Sequence, residues 1–124
     1  MKNGKRATAR GGDIILEDPS VLRLGISEKE FAQAVVELAE ALGWMVWRTW
    51  VSLHSPKGEP DLRMVNVDQR RVVWAEVKSD KGKLTAAQAE AILTLRSSGA
   101  EVYVWRPGDW EKIQAVLKGE RPDK

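Results

Sequence analysis

The stretch Gly58-Glu59-Pro60-Asp61-Leu62-Arg63-Met64-Val65-Asn66-Val67-Asp68-Gln69-Arg70-Arg71-Val72-Val73-Trp74-Ala75-Glu76-Val77-Lys78 decides how this chain folds. Asp61 to Val67 and Arg71 to Lys78 are rich in β-branched and apolar residues and read as two strands. Asp68-Gln69-Arg70 between them suits a tight hairpin connection. Side chains alternate faces along a strand, so Glu76 and Lys78 point the same way while Val77 points to the core. Asp61 opens the first strand, and pairing brings it beside Glu76. Gly58 and Pro60 shape the turn that delivers Asp61. Two carboxylates and a lysine at one sheet edge suit magnesium-dependent hydrolysis of a phosphodiester.

Beyond this hairpin, Ser79 to Lys83 turns and Thr85 starts a helix. Thr85 and Gln88 have the spacing of a capping box. The helix runs to about Ser98, and Gly99 closes it. Ala100 to Arg106 alternates Val102 and Val104 against Tyr103 and Trp105, a strand pattern. Pro107-Gly108 turns, and Asp109 suits the N-cap of a short last helix carrying Trp110, Ile113 and Leu117. Before the hairpin, Ser27 and Glu30 form another capping box, with Ile26 and Phe31 placed as a hydrophobic staple. Phe31, Val35, Leu38 and Leu42 recur at helical spacing until Gly43. Trp44 to Val51 reads as a strand and Ser52 to Pro60 as a loop. The order is α-β-β-β-α-β-α, an α/β domain with a central mixed β-sheet flanked by helices. Its step from strand 71–78 through helix 85–98 to strand 100–106 is expected to be a right-handed parallel crossover.

A chain of 124 residues bounds the reading to one domain with a real core. It has no cysteine, which removes disulfides and thiolate metal sites and fits a reducing, cytoplasmic setting. No run of about 18 apolar residues is present to span a membrane. The net charge of +2 arises in residues 1–25, which hold five basic and three acidic residues, while residues 26–124 hold fifteen of each. Bulk charge therefore does not announce a nucleic-acid binder. Residues 1–26 read as a basic, flexible N-terminal arm and extension, whose apolar runs at Ile14-Ile15-Leu16 and Val21-Leu22 suggest an ordered part packing on the domain or on a second copy, residues 27–118 as the folded domain, and residues 119–124 as a polar tail.

Gly58-x-Pro60-Asp61, then Glu76-x-Lys78, then Gln88 resembles the motif set of the PD-(D/E)XK nuclease superfamily, within it the small stand-alone VRR-NUC domains of phages and bacteria. The acid–Glu-x-Lys pattern alone is weak, and the flanking Gly-x-Pro and Gln make it specific. The resemblance spans roughly residues 27–117 and implies a restriction-endonuclease-like core and a metal-dependent endonuclease acting on DNA. Branched DNA such as a Holliday junction is then a candidate substrate, and a homodimer would set two sites against two strands. It implies Mg²⁺ or Mn²⁺ held by Asp61, Glu76 and the backbone carbonyl of Val77, with Lys78 beside the attacking water and Gln88 in the site. No nucleotide cofactor is expected, since the chain has no phosphate-cradling glycine loop, and His-Glu-x-x-His metalloprotease chemistry is absent as well. A bacterial cytoplasm, or a phage within it, is the implied setting.

Each assignment has a plainer reading. Asp61 alone is an ordinary turn residue, and Lys78 alone a solvated strand-end lysine. Gln88 serves a capping box equally well. Glu28 lies on the Phe31–Val35 face and could add a third acid, although a first helical turn favours acids anyway. The position where many relatives carry that acid is Ala32 here. This departure keeps open a catalytically silent DNA-binding module on the same fold. His54, Ser55 and Lys57 precede the motif in a loop, as candidate substrate contacts or as plain exposed residues. The six tryptophans read first as packing, with base stacking open for one in an exposed segment such as Trp50.

Overall fold

The computed structural model describes residues 26–49 and 57–121. Helix α1 (Glu28–Ala41) begins at Ser27, whose hydroxyl accepts from Glu30 N while Glu30 reaches back to Ser27 N, the capping box expected from the sequence. Strands β1 (Met45–Arg48), β2 (Leu62–Asn66) and β3 (Arg71–Val77) follow as an antiparallel meander. Helix α2 (Ala86–Ser97) then crosses over to β4 (Glu101–Trp105), which pairs parallel to β3. A 3₁₀ turn at Pro107–Asp109 leads into α3 (Trp110–Lys118). The sheet order is β1-β2-β3-β4, so the domain is α/β with a mixed sheet, as the hydrophobic pattern implied.

The two faces of the sheet are covered unequally. One face carries Leu62, Met64, Val73, Ala75, Val77 and Trp105, all buried under Phe31, Val35 and Leu38 of α1 and Trp110, Ile113 and Leu117 of α3. Each of the larger of these side chains contributes about 1.5–3 kcal/mol by leaving water, so this layer is the main core of the domain. On the other face α2 lies over the β3–β4 half, with Ile92 and Val102 buried. Met45 and Trp47 of β1, and Val72 of β3, keep large apolar areas exposed on that second face.

Local chemistry explains the departures from the expected boundaries. Strand β1 is shorter than Trp44 to Val51: Trp44 is buried before it and donates its indole N–H to the Leu117 carbonyl (2.9 Å), a tertiary contact. Trp50, Val51 and the loop residues to Pro56, with His54 and Ser55, lie outside the described residues, as do residues 1–25 and the last three of the tail. Asp109 does not cap α3 with its side chain. Its carboxylate instead accepts from Arg106 N (2.9 Å), which closes the 3₁₀ turn.

Arg71, the first residue of β3, is a buried hub. Its guanidinium pairs with Glu101, donates to Gln69 Oε1 (2.7 Å) and to the carbonyls of Val116 (2.9 Å) and Glu120 (3.1 Å), and lies against the Trp44 ring. It ties the C-terminal end of α3 to the sheet. With every donor spent on structure, Arg71 is not available for chemistry. Among the described residues no helix is long and apolar enough to cross a membrane.

Candidate active site

The β2–β3 register pairs Leu62 with Ala75, so the next opposed pair outward is Asp61 with Glu76. Alternation puts both carboxylates on the face away from α1. Asp61 is fixed from two sides. Its Oδ2 accepts from Val77 N (2.9 Å), and its own carbonyl accepts from Thr49 N (2.9 Å). The Thr49 hydroxyl also donates to the Pro60 carbonyl, so β1 pins the Pro60–Asp61 link.

Glu76 is 1 % exposed, and among the described residues neither of its carboxylate oxygens has a partner at hydrogen-bond geometry. Lys78 Nζ stands 3.7 Å from its Oε2, and Lys78 is itself buried. A solvated lysine at a strand end is therefore not what is found. Burial drives the Glu76 pKa up from 4.5 to about 7, and the negative charge of Asp61 pushes it the same way. The Lys78 ammonium pulls it down, and Glu28 adds a smaller upward push. Glu28 thus stands near enough to be felt, on the exposed first turn of α1.

The first turn of helix α2 packs against Gly58, three residues before Asp61. Gln88 and Thr85 make the reciprocal capping bonds, Gln88 Oε1 accepting from Thr85 N (2.9 Å) and Thr85 Oγ1 from Gln88 N (3.1 Å). The cap engages the amide oxygen of Gln88, so any ligand would meet its amide nitrogen. The turn between β3 and α2 is held by a residue the motif reading did not flag: Arg106 donates to the carbonyls of Ser79 (2.7 Å) and Gly82 (2.6 Å). Its role follows from a tertiary contact that no local pattern encodes.

Gly58 brings the acid-bearing turn against α2. At φ +97° it occupies the left-handed region, and a Cβ there would lie 2.3 Å from the Ala87 carbonyl oxygen and 2.9 Å from Gln88 N. Gly58→Ala should therefore lower stability by roughly 2 kcal/mol or more in urea unfolding, from backbone strain plus overpacking. An unchanged midpoint would mean that the turn is free to move away from α2. Lys57 is exposed and lines, with Pro60, Trp74, Ala91 and Leu95, a groove of about 460 Å³ between this turn and α2.

Among the described residues no three acidic or histidine side chains converge as a ready metal cage. Asp61 and Glu76 are two hard oxygen donors, and the unpartnered buried oxygens of Glu76 are what a divalent cation would satisfy. Cations such as Mg²⁺ keep several waters and take only one or two carboxylates, so the donor set fits that class of ion.

Residues 12–107 match the family model described as the VRR-NUC domain. No curated protein matches the chain. Among solved structures the chain is similar to Hjc of Archaeoglobus fulgidus, described as a Holliday junction resolvase from an archaeal hyperthermophile. The two share 31% sequence identity over 61% of this chain and 64% of that one, with a TM-score of 0.46. The matched region spans less than two thirds of the resolvase.

Proposed function

The chain belongs to the VRR-NUC domain family, and on that premise we propose that it is a divalent-cation-dependent endonuclease that hydrolyses DNA phosphodiesters, with branched DNA such as a four-way junction as substrate and a homodimer as the working form. The observation that carries this reading is Glu76: a buried carboxylate without a hydrogen-bond partner, opposite Asp61 and beside Lys78. Such a group calls for a reason, and a bound cation is one that would satisfy it.

In this reading Asp61, Glu76 and the Val77 carbonyl would hold Mg²⁺ or Mn²⁺. That ion supplies Lewis-acid polarisation of the phosphate and a lowered water pKa when bound. Asp61 is oriented by its bond from Val77 N, so its free oxygen needs little rearrangement to act as a ligand. Lys78 places a fixed positive charge where the phosphate gains negative charge, and its burial strengthens that charge relative to water. Gln88 presents its amide nitrogen toward the phosphate from the start of α2. Lys57 would offer a cation at the site's entrance, His54 and Ser55 precede it in sequence as further candidate substrate contacts, and Glu28 would serve as an outer acid beside the ion. Residues 27–118 would form the nuclease unit, with the basic residues among 1–26 available to the DNA backbone.

Purified protein with Mg²⁺ or Mn²⁺ should cut at least one of supercoiled, flapped and four-way-junction DNA, and chelation should stop it. Failure on all three with intact fold would count against the proposal. The absence of a third converging acid among the described residues keeps one rival in play, a silent DNA-binding module. Mn²⁺ titration separates the two: the silent module would bind DNA yet take up no Mn²⁺ at Asp61 and Glu76.

A further inference from the structure

The open half of the second sheet face carries a cross-strand row that the cleavage site does not use. Trp47 of β1 pairs with Arg63 of β2, which pairs with Trp74 of β3. The Arg63 guanidinium carbon lies 5.2 Å from the centroid of the Trp47 ring and 5.7 Å from that of Trp74. Two aromatic neighbours hold a side chain that would otherwise sample many rotamers. Arg63 is exposed, and among the described residues it forms no ion pair. Beside it lies a recess of about 160 Å³, lined by Trp47, Arg48, Thr49, Glu59 and Arg63. The structure thus shows a cation that is positioned and exposed and that, among the described residues, is not ion-paired, although Glu59 lines the same recess.

Its place along the strands matters most. Arg63 and Asp61 are two residues apart on the same face, as are Trp74 and Glu76, and two residues of strand span about 6.5–7 Å. That is about the distance between successive phosphates of an extended nucleic-acid strand. We propose that the Trp47–Arg63–Trp74 row is a subsite for an unpaired stretch of the substrate strand, in which Arg63 binds the phosphate next to the one that is cut and the indoles stack the adjoining bases. This rests on the nuclease reading and adds to it a requirement: the strand entering across β1 and β2 is single. Each base of an unpaired strand can turn a free π-face to an indole, whereas within a duplex the neighbouring base pairs cover it. The exposed apolar side chains of Met45 and Val72 continue the same surface, and a second copy of the chain is the competing occupant.

The test measures binding of a fluorescein-labelled single-stranded 12-mer to full-length Glu76→Gln protein, which should not cut it, over a series of salt concentrations. Adding Arg63→Gln should raise Kd about tenfold and reduce the slope of log Kd against log salt by about 0.7. Adding Trp47→Ala should also raise Kd about tenfold but leave the slope intact, because stacking releases no counterions. Arg63→Lys should keep the slope and lose part of the affinity, which guards against an Arg63→Gln variant that folds poorly. Lys118→Gln, the same charge change on α3, should bind like the parent. Four results overturn the proposal: unchanged binding and slope in Arg63→Gln, an equal loss in Lys118→Gln, a change of slope in Trp47→Ala, or conversion of a dimer to a monomer by Trp47→Ala in sedimentation. Any of these beside intact DNA cleavage by the unmodified protein sinks this subsite alone. Absence of both cleavage and binding in the unmodified protein sinks the nuclease reading with it.

Discussion

Glu76→Gln should make the metal-free protein more stable at pH 8, by about 2 kcal/mol, while ending DNA cleavage. In the folded state Glu76 titrates near 7 instead of 4.5, chiefly because burial disfavours its charge and Asp61 repels it. A raised acid pKa means that the native state holds its proton more tightly than the unfolded chain does. The resulting stabilisation is complete below about pH 4.5 and is lost as pH rises toward 7. At about 1.4 kcal/mol per pKa unit, the loss is on the order of 3 kcal/mol. Glutamine is neutral at every pH and nearly the same shape, so it escapes the loss, less what its buried amide forfeits by lacking partners. The measurement is urea unfolding of both proteins in chelator from pH 4.5 to 8. The wild-type curve should fall relative to Glu76→Gln across that window. Mn²⁺ at pH 8 should restore the wild type and leave Glu76→Gln unmoved, since a ligand stabilises only the form that binds it. A constant difference between the two proteins at all pH values would mean that Glu76 is solvated.

The juxtaposition behind this result was largely legible in the sequence. Asp61 meets Glu76 because two local features suffice: period-two alternation, and a short connection that fixes the hairpin register. Both capping boxes, Ser27–Glu30 and Thr85–Gln88, also depend only on neighbours three residues apart, and both formed. The burial of Glu76 was not legible, because it is imposed from a distance. The close approach of the Gly58 turn to α2 and the hold of Arg106 on the turn at Ser79 and Gly82 are likewise contacts that no local pattern encodes. The Arg63 row escaped for the same reason. Trp47, Arg63 and Trp74 come from three strands, and their alignment appears only once the register of β1 on β2 is known. Arg71 reads in sequence as an unremarkable strand start, yet its partners lie 30 and 45 residues away at Glu101 and Val116. Asp109 shows the converse: a residue well suited to cap α3 was taken by a nearer donor, Arg106 N.

Lys78→Met should reduce cleavage by about 100- to 1000-fold, the range seen when a preorganised group facing transition-state charge is removed. It should also move the pH dependence in a direction that a purely structural lysine would not. Among the described residues the Lys78 ammonium is the charge that pulls the Glu76 pKa down, against burial, Asp61 and Glu28. Without it Glu76 keeps its proton to higher pH. A divalent cation binds the deprotonated carboxylate, so uptake of Mn²⁺ at pH 7 should weaken, and the rising limb of the pH–rate profile should shift upward. Methionine fills nearly the volume of the lysine stem and carries no charge into the buried site, so the fold should persist. Lys78→Arg restores the charge in a wider, planar group, and should recover Mn²⁺ affinity better than it recovers rate, because the charge acts on Glu76 through space while catalysis needs it at one position. Calorimetric Mn²⁺ binding and cleavage rates between pH 6 and 9 check both halves. A loss of rate with no upward shift would place Lys78 against the phosphate alone, and a shift with no loss of rate would confine it to setting the charge of Glu76.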